Sequence, residues 1–433
     1  MKIIVIGQCS LHWGRMEFGN IGNFYIMEPF FRMLHDQFPK ASISTTFQMS
    51  DEFCERERVM KLPLEIYYGW DEDLVKAKQE LKIAELLIKG NLEVKTTPYI
   101  EIVRSMDLVI DFSGDIWGDN ADFLGEDRFM VGLLKNRTAQ LLAKKTAMIA
   151  GSPGPFSAGK NLDFAREVYK SFDLVTNREA ISIELLKDYS FDISKTHSLA
   201  CPAFCFNPGS IESIKGDDIV DQILSNSRPS IGFLICGWNF TEGPFDKWPR
   251  LDDEYSVFID AIERFLASTD VNIVLMSHSN GFPIPPKKFQ LTHGRDYPII
   301  KQLQRIFKQR GVASNVYALD GVYDAWQSKA ILGHFDMVVS GRVHAAVGAM
   351  SQCVPTVIID YGHEPKAHKL KGFAQVAGQE AYMAKPDKVN DLLQKMNLVW
   401  ENRTSIKMSL ESQIPIVKAN GKKNFELLKA LFK

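Results

Sequence analysis

The chain has 433 residues, 45% hydrophobic and 24% charged, ordinary globular proportions with no stretch polar enough for disorder. That length outgrows a single core, so two domains are expected. With 51 Lys+Arg against 53 Asp+Glu the net charge is -2, which excludes a general attraction for nucleic acid or an anionic surface; any anion recognition has to be local.

The apolar run "KIIVIG" (2–7) stops at Gly7 without a small-residue cleavage site and reads as a first strand, not a signal peptide. No apolar run approaches the ~20 residues of a membrane span, so a cytoplasmic protein is expected. Strands follow at "DLVIDFS" (107–113), "TAMIAG" (146–151) and "FDLVTN" (172–177), with helices at 24–38, 130–145 and 178–189. The second half repeats the pattern with strands at 230–238, 271–278, 315–320, 336–341 and 355–361, and helices at 254–268 and 299–311. Such alternation is the signature of parallel sheets covered by helices on both faces.

Periodicity lapses in "ACPAFCFNPGSIESIKGDD" (200–218), placing a linker near 208–215. The expectation is α/β with two Rossmann-like domains, 1–208 and 215–433, facing across a cleft, the terminal helices packing back on the first. Six scattered cysteines include a CxxxC at Cys201 and Cys205 without a second pair, so free thiols and no metal site are expected.

Ligands of open α/β sheets sit beyond the carboxyl ends of the strands, so the loop leaving each strand is where functional residues are expected. After the first strand, "GNIGN" (19–23) puts Asn20 and Asn23 among glycines ahead of a helix, either a plain turn or an anion site. After the second, "SGDIWGDN" (113–120) gives Gly114 for close backbone approach and crowds Asp111, Asp115 and Asp119, open to capping, metal or acid-base roles. Ser152 opens the Pro/Gly-rich "SPGPFSAG" (152–159), and Arg178 with Glu179 leaves the strand beyond it, shaped for a carboxylate or phosphate or for a neighbouring acid. In the second half the strand "DMVVS" exits at Ser340, and "RVHAAVGAM" starts a helix with Arg342 and His344 in its first turn, where freed amides favour an anion. Lys366 comes after the next strand, as an anion contact or a solvated lysine.

Taken together and in order, "GNIGN", "DLVIDFSGD", "AMIAGSPGPFSAG", "LVTNREAISIELL" and "SGRVHAAVGAMSQCVPTVIIDYGHEPK" resemble the polysaccharide pyruvyl transferase family. The resemblance implies a GT-B-like fold and transfer of a pyruvyl group from phosphoenolpyruvate to two sugar hydroxyls, forming a pyruvate ketal and releasing phosphate. Arg342 and His344 match the family's Arg-x-His for phosphoenolpyruvate, Arg178 the arginine of its Arg-Glu/Asp segment, and Lys366 a downstream basic residue. Two segments depart from the family pattern: Asn23 stands where many relatives have Asp, and Ser113, Gly114 and Asp115 stand where Gly-Gly-Gly is frequent. Both are expected to face the acceptor.

The chemistry implied needs a proton for the donor's methylene and a base for the acceptor hydroxyl. Asp115 heads the candidates, with Asp111 and Glu179 behind it, and His344 can protonate the departing phosphate. Arg342 and His344 are expected on the phosphate and Arg178, across the cleft, on the carboxylate. Ser340, Ser152, Gly114, Asn20 and Asn23 are the remaining expected substrate contacts. No cofactor is required beyond phosphoenolpyruvate as co-substrate, and no nucleic-acid partner is expected. A glycan or lipid-linked sugar is the expected acceptor; a membrane-bound one would bring peripheral contact with the inner face of the plasma membrane. The rival readings are a GT-B glycosyltransferase using a nucleotide sugar, and a non-catalytic scaffold. The long loops at 237–255 and 277–298 are where acceptor choice is expected.

Overall fold

A computed structural model describes the chain except for residues 121–124, 215–218, 222–224, 226–227, 242–246 and 364–366. The first unit comprises Met1–Met16, Glu28–Pro202 and Ala419–Lys433, the second Glu17–Met27 and Ala203–Lys418. The chain thus passes from the first to the second a few residues before the expected linker at 208–215, of which 211–214 is a 3-10 turn. It also visits the second unit once near its start, and the long helix Arg403–Ala430 returns it to the first. There Asn424 donates to the Ala200 carbonyl at 3.0 Å and Phe425 meets Phe30, ring centroids 5.2 Å apart.

The first unit holds β1 (Lys2–Ile6), β2 (Ser42–Thr45), β3 (Val59–Lys61), β4 (Leu108–Asp111), β5 (Lys145–Gly151), β6 (Leu174–Asn177) and β7 (Thr196–Ser198), in sheet order 3-2-1-4-5-6-7, all pairs parallel. Its central strands are apolar on both faces, as a sheet sandwiched by helices requires. A core of Trp117, Phe129, Leu133, Phe156, Tyr169 and Phe191 fills one side.

The second unit holds β8 (Ser230–Leu234), β9 (Asn272–Leu275), a hairpin of β10 (Asn280–Gly281) and β11 (Thr292–His293), then β12 (Val316–Ala318), β13 (Met337–Ser340), β14 (Thr356–Ile359) and β15 (Met383–Ala384). Its main sheet runs 12-9-8-13-14-15, again parallel. Every expected strand is present. The additional β2, β3, β7 and β15 are two to four residues long and polar or part-exposed, too short for periodicity to register.

Strand order reverses between β1 and β4 in one sheet and between β8 and β13 in the other. In open α/β sheets ligands bind at such switch points, at the carboxyl ends of the strands. Ile6 pairs with Asp111 at the first and Leu234 with Ser340 at the second, so the loops leaving these residues define the two places to search.

Candidate functional site

At the switch point of the second unit, Ser340 ends β13 and its hydroxyl accepts from the Arg342 amide at 3.1 Å while donating to the Arg342 carbonyl at 2.9 Å. This pins the turn that starts the helix Val343–Met350, with Arg342 as its extended N-cap. The expected substrate contact Ser340 therefore spends its hydroxyl on backbone. Ala345, Ala346 and Ala349 are fully buried.

Arg342 forks onto Asp296, with Nε to Oδ2 at 2.9 Å and Nη2 to Oδ1 in a shorter contact. Its side chain keeps 12% exposure while that of Asp296 keeps 1%. Burial works against the guanidinium charge, but the Asp296 carboxylate outweighs it and raises the pKa. The fork uses Nε and Nη2, so Nη1 lies outside the pair. Asp296 opens the helix Asp296–Arg310; its amide donates to Ser279 Oγ at 3.1 Å and its carboxylate accepts from the His278 amide at 3.4 Å. One buried carboxylate thus fixes both the arginine and the loop after β9.

His278, 1% exposed, is a site residue that the sequence reading misses. Its Nε2 lies 3.3 Å from Tyr25 Oη, and its buried Nδ1 has no partner among the described residues. Burial, then the charges of Arg342 and His344, holds its imidazole well below the usual pKa, so it is neutral. It lies just beyond a strand of the sheet, and the strand-end rule that leads to Arg342 would have found it.

His344 is half-buried and stands edge-on to Phe373, ring centroids 5.6 Å apart. Gly22 packs closely on it: a methyl at Gly22 would lie 2.3 Å from His344 Cβ. Asn20 forms a bridge with Ser279, and its side chain accepts from the Gly22 amide at 3.2 Å, capping the helix Ile21–Gln37. Asn20 and half-buried Asn23 were expected in the first domain, yet both belong to the second unit, because this bridge and the close fit of Gly22 tie their segment to the His344 turn. Lys366 lies outside the described residues.

At the switch point of the first unit, three expected residues form a chain. The Ser152 amide donates to the Gly114 carbonyl at 2.8 Å, and the Arg178 Nε donates to Ser152 Oγ at 2.7 Å. Gly114 holds φ at +59°, a left-handed conformation that favours glycine. Arg178 is 3% exposed. Asp111 is fully buried, accepting from Ser113 Oγ at 2.5 Å and from the Asn136 amide. Burial pushes its carboxyl up to about 6, against those two hydrogen bonds. Glu179 accepts from the Ser182 amide at 3.0 Å and the Ser182 hydroxyl at 2.7 Å, which heads the helix Ile181–Asp188. Asp119 accepts from the Ser157 amide at 2.7 Å. Asp115, like Asp119, is half-buried.

A fully buried arginine, Arg128, is also missed from sequence because it lies in the first turn of the helix Gly125–Leu141, away from any strand end. It donates to the Gln8 carbonyl at 3.0 and 2.7 Å and to that of Ser10, and it lies 4.1 Å over the Tyr68 ring. Burial, then Asp115 and Asp111, pushes the Cys9 thiol up, while Arg128 and Arg178 oppose them, so all four charges act on one spot. None of the six cysteines is in a disulfide among the described residues. Among the described residues no group of three His, Cys, Asp or Glu side chains could hold a metal ion, and no helix is long and apolar enough to cross a membrane.

The fold is similar to those of a glycosyltransferase and of two proteins solved with UDP or a UDP-sugar. A glycosyltransferase from Rickettsia africae matches with TM-score 0.58 and 10% identity, over 100% of this chain and 98% of that one. Anabaena Alr3699/HepE in complex with UDP matches with TM-score 0.58 and 12% identity, over 99% and 100%. The UDP-GlcNAc 2-epimerase from Neisseria meningitidis bound to UDP-GlcNAc matches with TM-score 0.56 and 11% identity, over 100% of both. At such identities the likeness shows the fold, which is GT-B-like. No curated protein gives a significant match. Residues 20–363, from the Asn20 cap through the Arg342–His344 turn to the loop after β14, match the family described as polysaccharide pyruvyl transferase, so this chain belongs to that family and is a transferase.

Proposed function

We propose that the protein transfers a pyruvyl group from phosphoenolpyruvate to two hydroxyls of a sugar in a surface polysaccharide or its lipid-linked precursor. The observation that carries the reading is the turn after β13, where an oriented arginine and a histidine share a helix start at a switch point, in a chain of this family. Arg342 keeps Nη1 outside its ion pair, and with His344 and the amides of that turn it takes the donor phosphate. Arg178 takes the carboxylate.

One acceptor hydroxyl adds to the central carbon as the methylene gains a proton and becomes a methyl group. The second hydroxyl then replaces phosphate at the same carbon, closing the ketal. Asp115 is the base for an acceptor hydroxyl, and His344 hands a proton to the departing phosphate. Asn20, Asn23, Gly114, Ser152, Ser340 and Lys366 are the remaining candidate substrate contacts. No cofactor is needed, and the reaction belongs in the cytoplasm, where phosphoenolpyruvate is made.

Calorimetric titration with phosphoenolpyruvate, run beside UDP, tests the reading on the wild type, Arg342→Lys and His344→Ala. Arg342→Lys keeps a cation for Asp296 but loses the fork, so the fold should survive and phosphoenolpyruvate affinity should fall roughly tenfold or more. Saturable binding of UDP without phosphoenolpyruvate would move the protein to the nucleotide-sugar enzymes whose fold it shares.

A further inference from the structure

The hairpin β10–β11 projects a loop, residues 282–291, whose stretch 284–290 is exposed throughout. That stretch reads Ile-Pro-Pro-Lys-Lys-Phe-Gln. Ile284 is 44% and Phe289 42% exposed, an apolar pair flanking Lys287 and Lys288. From Val271 to Arg295 the sequence has no Asp or Glu, so the loop and its stem carry only positive formal charge in a chain whose net charge is -2. Among the described residues neither lysine pairs with a carboxylate.

The base of the loop is braced. Phe18 meets Phe282 with ring centroids 5.6 Å apart and Phe289 at 4.5 Å, and the Lys287 amide closes a turn onto the Ile284 carbonyl at 3.3 Å. Two consecutive prolines fix φ across the tip. An exposed isoleucine beside two cations, on a braced loop without acids, suits the boundary between acyl chains and anionic headgroups.

We propose that the tip of this hairpin, residues 284–289, docks the protein on an anionic lipid surface. Lys287 and Lys288 meet the headgroups while Ile284 enters the boundary beneath them, and Phe289 stays packed against Phe18. The proposal rests on the function above only for its purpose, since a lipid-linked acceptor would be presented at such a surface. Phe18 and Asn20, in the segment that abuts His344, brace the loop and bridge to its stem, so docking and donor site share one support.

Sedimentation with vesicles of phosphatidylglycerol and phosphatidylcholine in equal parts, and with phosphatidylcholine alone, tests it at low and high salt. The wild type should bind the anionic vesicles and lose them as salt rises. Replacing both lysines by alanine should weaken binding roughly 20- to 30-fold, about fivefold for each charge near such a surface. Ile284→Ser should weaken it several-fold without changing the salt dependence. Equal binding to both vesicle types, no binding by the wild type, or full binding by the double variant would overturn the proposal. Neither donor nor acceptor enters the assay, so it can fail while phosphoenolpyruvate binding stands, and the reverse.

Discussion

Each switch point contains a fully buried carboxylate, Asp111 in the first unit and Asp296 in the second, and the two are satisfied in opposite ways. Asp296 faces a guanidinium fork. Asp111 has neutral partners only in its immediate hydrogen bonds, a hydroxyl and an amide, and its carboxyl is pushed up to about 6 by burial. Burial alone therefore says little about what a carboxylate contributes; its partner's charge sets the sign. Removing the charge should harm one unit and relieve the other.

The largest effect is expected from Asp296→Ala. It leaves Arg342 without its counter-charge and frees the His278 loop, and breaking one partner of a buried pair costs about 3–5 kcal/mol. Chemical denaturation should show that loss, with phosphoenolpyruvate affinity falling in parallel because the guanidinium is no longer aimed. A variant as stable as the wild type would mean that solvent reaches the arginine and that the two carboxylates are not so different after all.

The opposite behaviour is expected of Asp111. A carboxyl raised from 3.8 to about 6 in the folded state binds its proton more tightly there than in the unfolded chain. Its contribution is then fully favourable below pH 3.8 and is lost as pH rises through about 6, on the order of 3 kcal/mol by neutrality. Asp111→Asn cannot ionise, so the difference in unfolding free energy between variant and wild type should move in the variant's favour from pH 4 to pH 7. A difference that stays flat with pH would show that Ser113 and Asn136 stabilise the carboxylate as well as a cation would.

Gly22→Ala probes the second unit without touching a charge. The added methyl would sit 2.3 Å from His344 Cβ, so the helix start or the histidine must shift, at a cost of about 1–3 kcal/mol. Donor affinity should fall with stability. Unchanged affinity in a destabilised variant would separate the position of His344 from donor binding.

The sheets and most of the helices were legible because buried parallel strands are continuous apolar runs of four or more residues. The turn around Ser340, Arg342 and His344 was legible because its parts adjoin in sequence and leave a strand together. Asp296 was not: 46 residues separate it from Arg342, and an aspartate at a helix start reads as a favourable first-turn charge whether or not it also meets an arginine. Asn20 was assigned to the wrong neighbours for the same reason, since its bridge to Ser279 joins residues far apart in the chain. Spacing along the chain reveals local hydrogen bonds, and long-range pairs need the topology.

Glu179 gives the smallest and cleanest test of that distinction, because sequence offered it as a catalytic acid and the structure gives it a local task. Its two oxygens accept from the amide and hydroxyl of Ser182, three residues on, as a capping group does at a helix start. Glu179→Gln keeps one acceptor and the shape, and should cost well under 1 kcal/mol, whereas Glu179→Ala should cost about 1 kcal/mol. In both variants the pH profile of pyruvyl transfer should match the wild type's, because a capping carboxylate moves no proton in the reaction. A glutamine variant that folds normally yet loses turnover by a hundredfold or more would restore Glu179 to the acid-base candidates and remove that role from Asp115.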